Sequence, residues 1–295
     1  MRVAIVGGSG FVGRHLTRKL VSQGHQVVVV SRQVNPGHQT LEDSDSVTAV
    51  KAPLADTVAM VKALKGCEAV YNCVGISYER GEQSYERVHL DGTRNLLSAM
   101  RQAEIDRFLH VSFLKARPMV DSPYHSTKWQ AEEMVRKSGT NYTIFKPGVL
   151  YGEGDQFLSH LKTTLKSFPF FGLVGFEETQ IAPLSVEDLC QAMAGCLEKQ
   201  DAFGKTYGLV GPEAFTLKEI VELTADSLDI IPTTVSLPIF LHRFAAILME
   251  YLMKTPLLTT SQVTMLSEDL AEPAPPSDEL PAELSPTTKF SPGCR

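Results

Sequence analysis

The sequence lacks the features that mark metal-binding, disulfide-rich and nucleic-acid-binding proteins. Its five cysteines include no Cys-x-x-Cys pair and no metal-ligand cluster with the eight histidines, which excludes the common zinc motifs and favours a reducing compartment. Acidic residues outnumber basic ones by 34 to 28, and the net charge of −6 argues against nucleic acid as a partner. No apolar run approaches the roughly 18 residues that a membrane-spanning helix needs. We therefore predict a cytoplasmic protein without a metal cofactor.

Residues 1–30 predict a strand, a glycine-rich turn, a helix and a second strand. The apolar run 3–6 precedes the turn, and Gly24 is placed to end the helix. Glycines at such a turn let an anion approach free backbone N–H groups at a helix N-terminus, so this unit is typical of a dinucleotide-binding loop. The alternative is an ordinary tight turn. The predicted pyrophosphate contacts are Gly7, Gly8, Ser9, Gly10, Phe11, Val12 and Gly13.

The predicted second strand lacks the acidic residue that would bind the adenosine ribose of NAD(H) and repel a 2′-phosphate. Ser31 occupies this place, and Arg32 follows it. A hydroxyl and a guanidinium group suit a phosphate, so the sequence favours NADP(H) over NAD(H) as the cofactor. The alternative is that Arg32 is a solvated loop cation or stacks on adenine.

Two later strands are predicted to end at the same edge of a parallel sheet. The fourth strand, 69–73, ends within the segment Asn72, Cys73, Val74 and Gly75, and the fifth strand ends at Ser112. Ligands of open α/β sheets bind outside the carboxyl ends of the strands. We therefore expect the segment 72–75 to contact the cofactor and Ser112 to face the reacting part of the substrate.

The chemistry is predicted on the next helix, which begins after Ser122 with Pro123 at its first position. Tyr124 and Lys128 lie one turn apart on this helix, on the same face. An ammonium group beside a phenol lowers the pKa of the phenol, so Tyr124 is a candidate general acid or base and a cofactor contact together with Lys128. With Ser112 holding a substrate oxygen, this set suits hydride transfer between a nicotinamide and a carbonyl or hydroxyl group. The alternative is a chance Tyr-x-x-x-Lys.

Beyond residue 150 the alternation of strands and helices becomes irregular. The apolar segment 168–176 is predicted to pack in the core, with the wall of an apolar substrate pocket as the alternative. The apolar segment 237–265 is expected either to fold onto its own domain or to contact a membrane or a partner protein. The stretch 267–295 is acidic and rich in proline, which predicts disorder.

Taken together, these motifs resemble the short-chain dehydrogenase/reductase superfamily in its extended and atypical branch, which includes nucleotide-sugar epimerases and dehydratases. The resemblance implies a doubly wound parallel α/β sheet, a Rossmann fold, with a smaller C-terminal part that covers the substrate. It also adds Lys146 and Pro147 to the cofactor-binding candidates. The resemblance rests on the glycine loop, 72–75, Ser112, the pair of Tyr124 and Lys128, Lys146-Pro147, 152–155 and 183–188.

Within that branch the chain is similar to the group around the nucleotide-binding accessory subunit of respiratory complex I. The group implies a second function, a non-catalytic NADP(H)-binding subunit or assembly factor that docks to a membrane complex through 237–265 and lies peripherally at the membrane. A sugar-nucleotide epimerase or dehydratase is a third alternative. We predict a dinucleotide-binding domain over 1–150, continued by 180–200, and a substrate-covering part from 151–179 and 201–266.

Overall fold

The computed structural model describes residues 1–33, 45–119, 121–167, 170–174, 179–253 and 258–293 of the chain. The strands are β1 Arg2–Val6, β2 Gln26–Ser31, β3 Val47–Lys51, β4 Ala69–Asn72, β5 Arg107–Val111, β6 Asn141–Pro147, β7 Leu150–Tyr151, β8 Phe170–Val174, β9 Gln180–Ile181, β10 Leu184–Ser185, β11 Lys205–Leu209, β12 Phe215–Thr216 and β13 Thr233–Leu237. The helices are α1 Phe11–Ser22, α2 Thr57–Leu64, α3 Gly92–Gln102, α4 Pro123–Arg136, α5 Phe157–Ser167, α6 Val186–Gly195, α7 Leu217–Asp226, α8 Ile239–Leu252 and α9 Thr260–Leu266. A π-helical turn over Glu86–Asp91 leads directly into α3.

A seven-stranded sheet in the order β3, β2, β1, β4, β5, β6 and β11 forms the centre of the molecule. Each neighbouring pair of strands in it is parallel. The direction of winding reverses between β1 and β4, which is where doubly wound sheets bind their ligands. The predicted doubly wound α/β fold is confirmed. In contrast to the predicted domain boundary, β11 belongs to this sheet rather than to the C-terminal part.

Side chains of β1 alternate between two apolar layers, as they must along a strand. Val3 and Ile5 pack in one layer with α1 and α6. Ala4 and Val6 pack in the other layer with residues of α2 and α3. All four are buried, because helices cover both faces of the sheet. This rigid core holds the carboxyl ends of β1, β2 and β4 in fixed positions.

Helices α5, α7, α8 and α9 and three two-stranded sheets form a smaller part around a third apolar cluster. Side chains from α5, α7 and α9 meet in this cluster, including Leu161, Ile220 and Val263. A capping box of Thr216 and Glu219 begins α7, because each side chain bonds to the backbone N–H of the other residue. This smaller part lies over the end of α4 that carries Tyr124, which packs against the same cluster.

The stretch predicted to be disordered, 267–295, is ordered over its described residues, 267–293. Asp278 accepts a hydrogen bond of 2.8 Å from the Thr206 N–H of β11. The side chain of Leu284 is buried, and the Phe290 ring packs edge-on against Tyr151 at 5.1 Å between ring centroids. The composition conceals these anchors because they are spaced singly among proline and acidic residues. The segment covers the outer edge of β11, which would otherwise expose unpaired backbone groups.

The helices of the described ranges include none that is long and apolar enough to cross a membrane. Within the same ranges, no group of three or more histidine, cysteine, aspartate or glutamate side chains is arranged to hold a metal ion.

Candidate functional site

The glycine loop sits at the carboxyl end of β1 and leads into α1. Gly7 has a φ of +83°, and a Cβ atom on it would lie 3.0 Å from Cγ2 of Val74. A Cβ atom on Gly13 would lie 2.4 Å from the Gly7 carbonyl oxygen, so these positions require glycine. The N-cap of α1 is Gly10, which has no side chain to occupy the first N–H groups, and the first turn carries no acidic residue. The helix therefore offers its positive end to an anion.

A cavity of about 790 Å³, which we name the glycine-loop cavity, opens at this point between the ends of β1, β2 and β4. Its size lies within the range of small-molecule and cofactor sites. Eight of the residues predicted to bind the cofactor line it, so the structure brings together the three strand ends as expected. They are Gly7, Ser9, Gly10, Ser31, Arg32, Cys73, Val74 and Gly75.

Five of the other predicted cofactor contacts do not line the cavity but pack against the residues that do. Gly8 and Gly13 provide close packing between the loop and its neighbours, while Phe11 and Val12 pack against the apolar core. Asn72 accepts a hydrogen bond of 3.2 Å from the Val74 N–H through Oδ1. Their role is to shape the walls, because none of the five lines the cavity.

The opposite wall of the cavity carries basic residues that the sequence analysis missed. Arg80, Arg87 and Arg94 line it together with Asp91, and the Arg94 guanidinium forms an ion pair with the Asp91 carboxylate. The helical spacing of 87, 91 and 94 places these side chains on one face of the helix that follows β4, and that spacing was the available signal. With Arg32, the wall presents more positive than negative charge to a bound anion.

Ser112 and Lys146 lie in a buried polar network rather than at a cavity surface. The Ser112 hydroxyl donates a 2.5 Å hydrogen bond to Oε1 of Glu132. Oε2 of Glu132 lies 2.9 Å from the Arg136 guanidinium and 3.6 Å from Nζ of Lys146. Burial lowers the pKa of Lys146, and the Glu132 carboxylate opposes this shift.

This network changes the roles predicted for three residues. Ser112 was expected to hold a substrate oxygen, but its hydroxyl is engaged by Glu132, and Ser112 lines neither the glycine-loop cavity nor a second cavity that lies beside Tyr124. Lys146 is engaged by the same carboxylate, and Pro147 accepts a hydrogen bond from the Leu114 N–H within the sheet edge. The structure therefore does not bring Ser112, Lys146 or Pro147 to the glycine-loop cavity.

Lys128 does not line the glycine-loop cavity itself, but it reaches from α4 to Gly75, which does. Its Nζ donates a hydrogen bond of 3.4 Å to the carbonyl oxygen of Val111. The same Nζ lies 3.1 Å from the position that a Cβ atom on Gly75 would take, so it contacts the backbone of a cavity-lining residue. Burial lowers the pKa of Lys128 to about 8, against the opposing effect of Glu132. The Lys128 ammonium group is therefore buried with one hydrogen bond to a carbonyl oxygen and without a carboxylate of the described residues in direct contact.

Tyr124 lines a second cavity and is surrounded by aromatic rings. Its ring packs edge-on against Tyr85, His89 and Phe113, at centroid distances of 5.6, 5.6 and 5.4 Å. Its hydroxyl forms no hydrogen bond to another residue in the part of the chain that the structure describes. Burial, with a smaller contribution from Tyr85, raises the pKa of Tyr124 above its ordinary value. The predicted lowering by Lys128 is wrong, because the ammonium group is directed to the Val111 carbonyl oxygen.

His89 connects the cavity loop to the helix of Tyr124, and the sequence analysis assigned it no role. The Ile76 N–H donates to Nε2 of His89 at 3.3 Å, and Nδ1 lies 3.0 Å from Oγ1 of Thr127. The Thr127 hydroxyl donates to the Pro123 carbonyl oxygen, so it accepts from Nδ1–H of His89. Burial and then the charge of Lys128 lower the pKa of His89 well below its ordinary range. His89 is therefore a neutral tautomer that fixes the Gly75–Ile76 segment.

The second cavity, of about 460 Å³, lies between the end of α4 and the smaller part of the molecule, and we name it the apolar cavity. Phe113, Phe157, Leu161 and Leu266 are among the side chains that line it. The described residues of its lining include no lysine, arginine, aspartate or glutamate. Phe171 also lines it, which supports the pocket-wall alternative for the described part of the segment 168–176.

Most polar side chains of the apolar cavity are already engaged. Oε1 of Gln262 accepts a hydrogen bond from the Thr259 N–H, and the Thr164 hydroxyl donates to the His160 carbonyl oxygen. Nε2 of His242 lies 3.2 Å from the carbonyl oxygen of Gly172. Two polar groups of the lining therefore remain for a ligand: the Tyr124 hydroxyl and Nδ1 of His160, which is buried without a hydrogen-bond partner among the described residues.

The comparisons with known proteins agree with this geometry. The sequence profile of a family described as NAD(P)H-binding matches residues 7–197. The chain is 30% identical to the mitochondrial NADH dehydrogenase (ubiquinone) 1 alpha subcomplex subunit 9 of Arabidopsis thaliana, in an alignment of 239 residues that covers 79% of this chain and 60% of that protein. It is 29% identical to the ceramide reductase of Caulobacter vibrioides, in an alignment of 244 residues that covers 80% of this chain and 73% of that protein.

A solved structure extends the likeness to nearly the whole chain. The NADPH-dependent quinone oxidoreductase QOR2 of Escherichia coli, in complex with NADPH, has a TM-score of 0.74 at 22% identity over 97% of this chain and 96% of that one. At 22% sequence identity this structural similarity supports the fold and carries no conclusion about activity. The chain spans 58–62% of the length of the mitochondrial subunits of the first matches. The predicted resemblance is confirmed. Because the family profile matches more than half of its residues, the chain belongs to the NAD(P)H-binding family.

Proposed function

We propose that the chain is an NADP(H)-dependent oxidoreductase that reduces a carbonyl group of an apolar molecule. The observation that carries the proposal is the position of α4 between the two cavities. Tyr124 lines the apolar cavity, and Lys128, one turn further along, contacts Gly75 in the glycine-loop cavity. A proton donor for the substrate and a cation for the cofactor are thus held on one rigid helix.

The glycine-loop cavity suits NADP(H) on two grounds. The N-terminus of α1, which has no side-chain cap, and the glycine loop would hold the pyrophosphate. Glycine at positions 7 and 13 allows the tight packing of this loop, because a Cβ atom at either position would collide with neighbouring atoms. Ser31 and Arg32 line the cavity where an acidic residue would disfavour a 2′-phosphate. The three arginines of the opposite wall, Arg80, Arg87 and Arg94, add positive charge. We therefore propose NADP(H) rather than NAD(H) as the preferred cofactor.

The proposed reaction converts a carbonyl compound, NADPH and a proton into an alcohol and NADP⁺. The bound cofactor supplies the hydride that the carbonyl carbon accepts. Tyr124 donates its hydroxyl proton to the carbonyl oxygen as that oxygen becomes negative. A raised pKa keeps Tyr124 protonated at neutral pH, which suits donation and hence the direction of reduction. The Lys128 ammonium would bind the ribose on the nicotinamide side and stabilise negative charge beside Gly75.

Replacing Tyr124 tests this proposal directly. We expect Tyr124→Phe to lower kcat for NADPH-dependent reduction of dodecanal by about 100- to 10,000-fold, since the proton donor is lost while the ring packing remains. NADPH affinity, measured by fluorescence titration, should stay within about twofold. Tyr142→Phe, on β6 away from both cavities, is the matched control. Unchanged turnover in Tyr124→Phe would contradict the proposal.

A non-catalytic NADP(H)-binding subunit or assembly factor is the second candidate function. It is supported by the likeness to a protein named as an NADH dehydrogenase subunit and by the exposed apolar side chains of α8. In that case the segment 237–265 would dock to a membrane complex, and the protein would lie peripherally at the membrane. Tight NADPH binding without oxidation of NADPH by any carbonyl compound would favour this candidate.

An epimerase or dehydratase acting on sugar nucleotides has less support. Such a substrate brings a second pyrophosphate, which needs cations or helix N-termini. The apolar cavity offers no lysine or arginine among its described lining residues. The arginines of the site lie instead in the glycine-loop cavity, where the cofactor is proposed to bind.

A further inference from the structure

The outward face of α8 is apolar along its whole length. Its exposed large side chains are spaced so that they form one stripe, and Phe244 and Tyr251 are 69% and 87% exposed. A helix of 14 residues is about 21 Å long, so the stripe is a substantial exposed patch. The members of this stripe are Phe240, Phe244, Ile247, Leu248, Tyr251 and Leu252.

The inward face of the same helix forms a wall of the apolar cavity. His242, Ala245 and Met249 line the cavity, and Ala246 is buried beneath them. The helix therefore separates the cavity from the exposed stripe by its own thickness. Whatever covers the stripe lies next to the proposed substrate site.

The charges of α8 indicate what covers the stripe. The Glu250 carboxylate accepts hydrogen bonds of 2.8 and 3.1 Å from the N–H and hydroxyl of Thr260, so it is turned toward α9. Arg243 is exposed, and it is the other charged residue of this helix. An apolar stripe with an exposed cation beside it suits a layer of lipid acyl chains with phosphate headgroups above them.

We propose that α8 lies in the interface of a lipid bilayer and that the apolar cavity takes a long-chain carbonyl compound from that bilayer. The identity of the reacting group rests on the proposed function, whereas the membrane contact does not. A molecule that fills an uncharged, largely apolar cavity dissolves better in acyl chains than in water. The position of α8 brings the cavity to the phase that holds such a molecule.

Vesicle binding tests the membrane contact without any turnover. The full chain is sedimented with vesicles of phosphatidylcholine and phosphatidylglycerol, as wild type, as F240S/F244S and as V58S. Val58 is 67% exposed on α2, so V58S removes a comparable apolar side chain from another surface. We expect F240S/F244S to weaken vesicle binding by at least about tenfold, with V58S unchanged. Circular dichroism and NADPH titration confirm that each variant is folded.

Three outcomes would overturn the membrane contact. The wild type could fail to bind vesicles, or F240S/F244S could bind them as well as the wild type does. F240S/F244S could also convert a dimer into a monomer in gel filtration without affecting vesicles, in which case the stripe is an interface between copies of the chain. A Phe244→Trp variant provides a second measurement of the membrane contact. The fluorescence emission of the new tryptophan should shift to shorter wavelength when vesicles are added, and brominated acyl chains should quench it.

A chain-length series tests the substrate class in the wild type. We expect kcat/KM for dodecanal to exceed that for butanal by at least about tenfold, because added methylenes are buried in the cavity. Ala245→Phe, which fills part of the cavity, should remove this preference and leave vesicle binding unchanged. Equal kcat/KM for both aldehydes would overturn the substrate class and leave the proposed reduction intact. Vesicle binding without reduction of either aldehyde would refute the proposed function alone.

Discussion

Lys128 is a buried ammonium group whose nearest acceptor is a backbone carbonyl oxygen rather than a carboxylate. Its folded-state pKa of about 8 lies below the ordinary 10.5, so the folded protein binds this proton less tightly than the unfolded chain does. The protein therefore loses stability by keeping Lys128 charged at neutral pH. Such a cost is typical of residues that serve a bound ligand rather than the fold.

Replacing Lys128 with an uncharged side chain of similar length should stabilise the apoprotein. We expect Lys128→Met to raise the free energy of unfolding at about pH 7 by about 1 to 3 kcal/mol. The advantage should shrink as pH rises from 8 toward 10.5, because the folded wild type then releases the proton before the unfolded chain does. Urea unfolding across this pH window measures it. An advantage that does not change with pH would contradict the account, and Lys62→Met, at an exposed site, is the control.

Arg32 is the residue on which the proposed preference for NADP(H) depends most. We expect Arg32→Ala to weaken NADPH binding by about tenfold while NADH binding changes by less than about twofold, because the 2′-phosphate is the group that differs between them. Isothermal titration with both cofactors measures the two affinities. Arg101→Ala, at an exposed position of α3 outside the glycine-loop cavity, serves as the matched control. Equal losses for NADPH and NADH would count against a phosphate contact.

The sequence could predict residues whose role depends on local spacing. The glycine loop and the pair of Tyr124 and Lys128 were found because their geometry follows from a turn or from one helical turn. The role of Ser112 could not be predicted, since it depends on Glu132, which the fold brings to it from the middle of α4. The direction of the Tyr124 pKa shift was also missed, because burial by Tyr85 and Phe113 is a tertiary effect.

At the scale of elements, the C-terminal segment 267–293 is the main departure from expectation. It has no regular secondary structure apart from a short 3₁₀ turn, Ala282–Leu284, and it is held by single anchors along β11, α6 and β7. Composition-based reasoning averages over such a stretch and finds it polar. Its order depends on partners that lie far away in the sequence, such as Asp278 with Thr206.

Leu284 is a buried apolar anchor of this segment, packed against Gly195 at the end of α6. We expect Leu284→Ala to lower the free energy of unfolding by about 2 kcal/mol, since a buried side chain is lost from a site that partly collapses. Glu279→Ala, at an exposed position of the same segment, should change it by less than about 0.5 kcal/mol. Chemical denaturation of both variants provides the test. Equal effects would mean that the segment is not anchored through Leu284.

At the scale of the whole molecule, both cavities lie at the carboxyl edge of one sheet. The sheet and its winding could be predicted, because continuous apolar runs and glycine turns repeat along the first half of the chain. The apolar cavity could not, since it forms where α5, α8 and α9 converge on α4. The addition of β11 beside β6 is likewise a long-range pairing, made after a return of the chain through α6.

In the proposed reaction the glycine-loop cavity would hold the cofactor, and the apolar cavity would hold the substrate. The glycine-loop cavity is lined by glycine backbone, arginine and small apolar side chains, and the apolar cavity by aromatic and aliphatic side chains. Tyr124 lines the apolar cavity, and Lys128 on the same helix lies beside Gly75 of the glycine-loop cavity. Hydride transfer from the cofactor to a substrate beside Tyr124 is the central proposal.

The most direct test follows deuterium from cofactor to product. The full chain is incubated with dodecanal and NADPH deuterated at C4 of the nicotinamide, in each stereochemical form, and the alcohol is analysed by mass spectrometry. We predict that one of the two forms transfers its deuterium to the alcohol carbon and that Tyr124→Phe abolishes the transfer while NADPH remains bound. Bound NADPH that yields no labelled alcohol with the wild type, for dodecanal or any other aldehyde or ketone, would contradict the account.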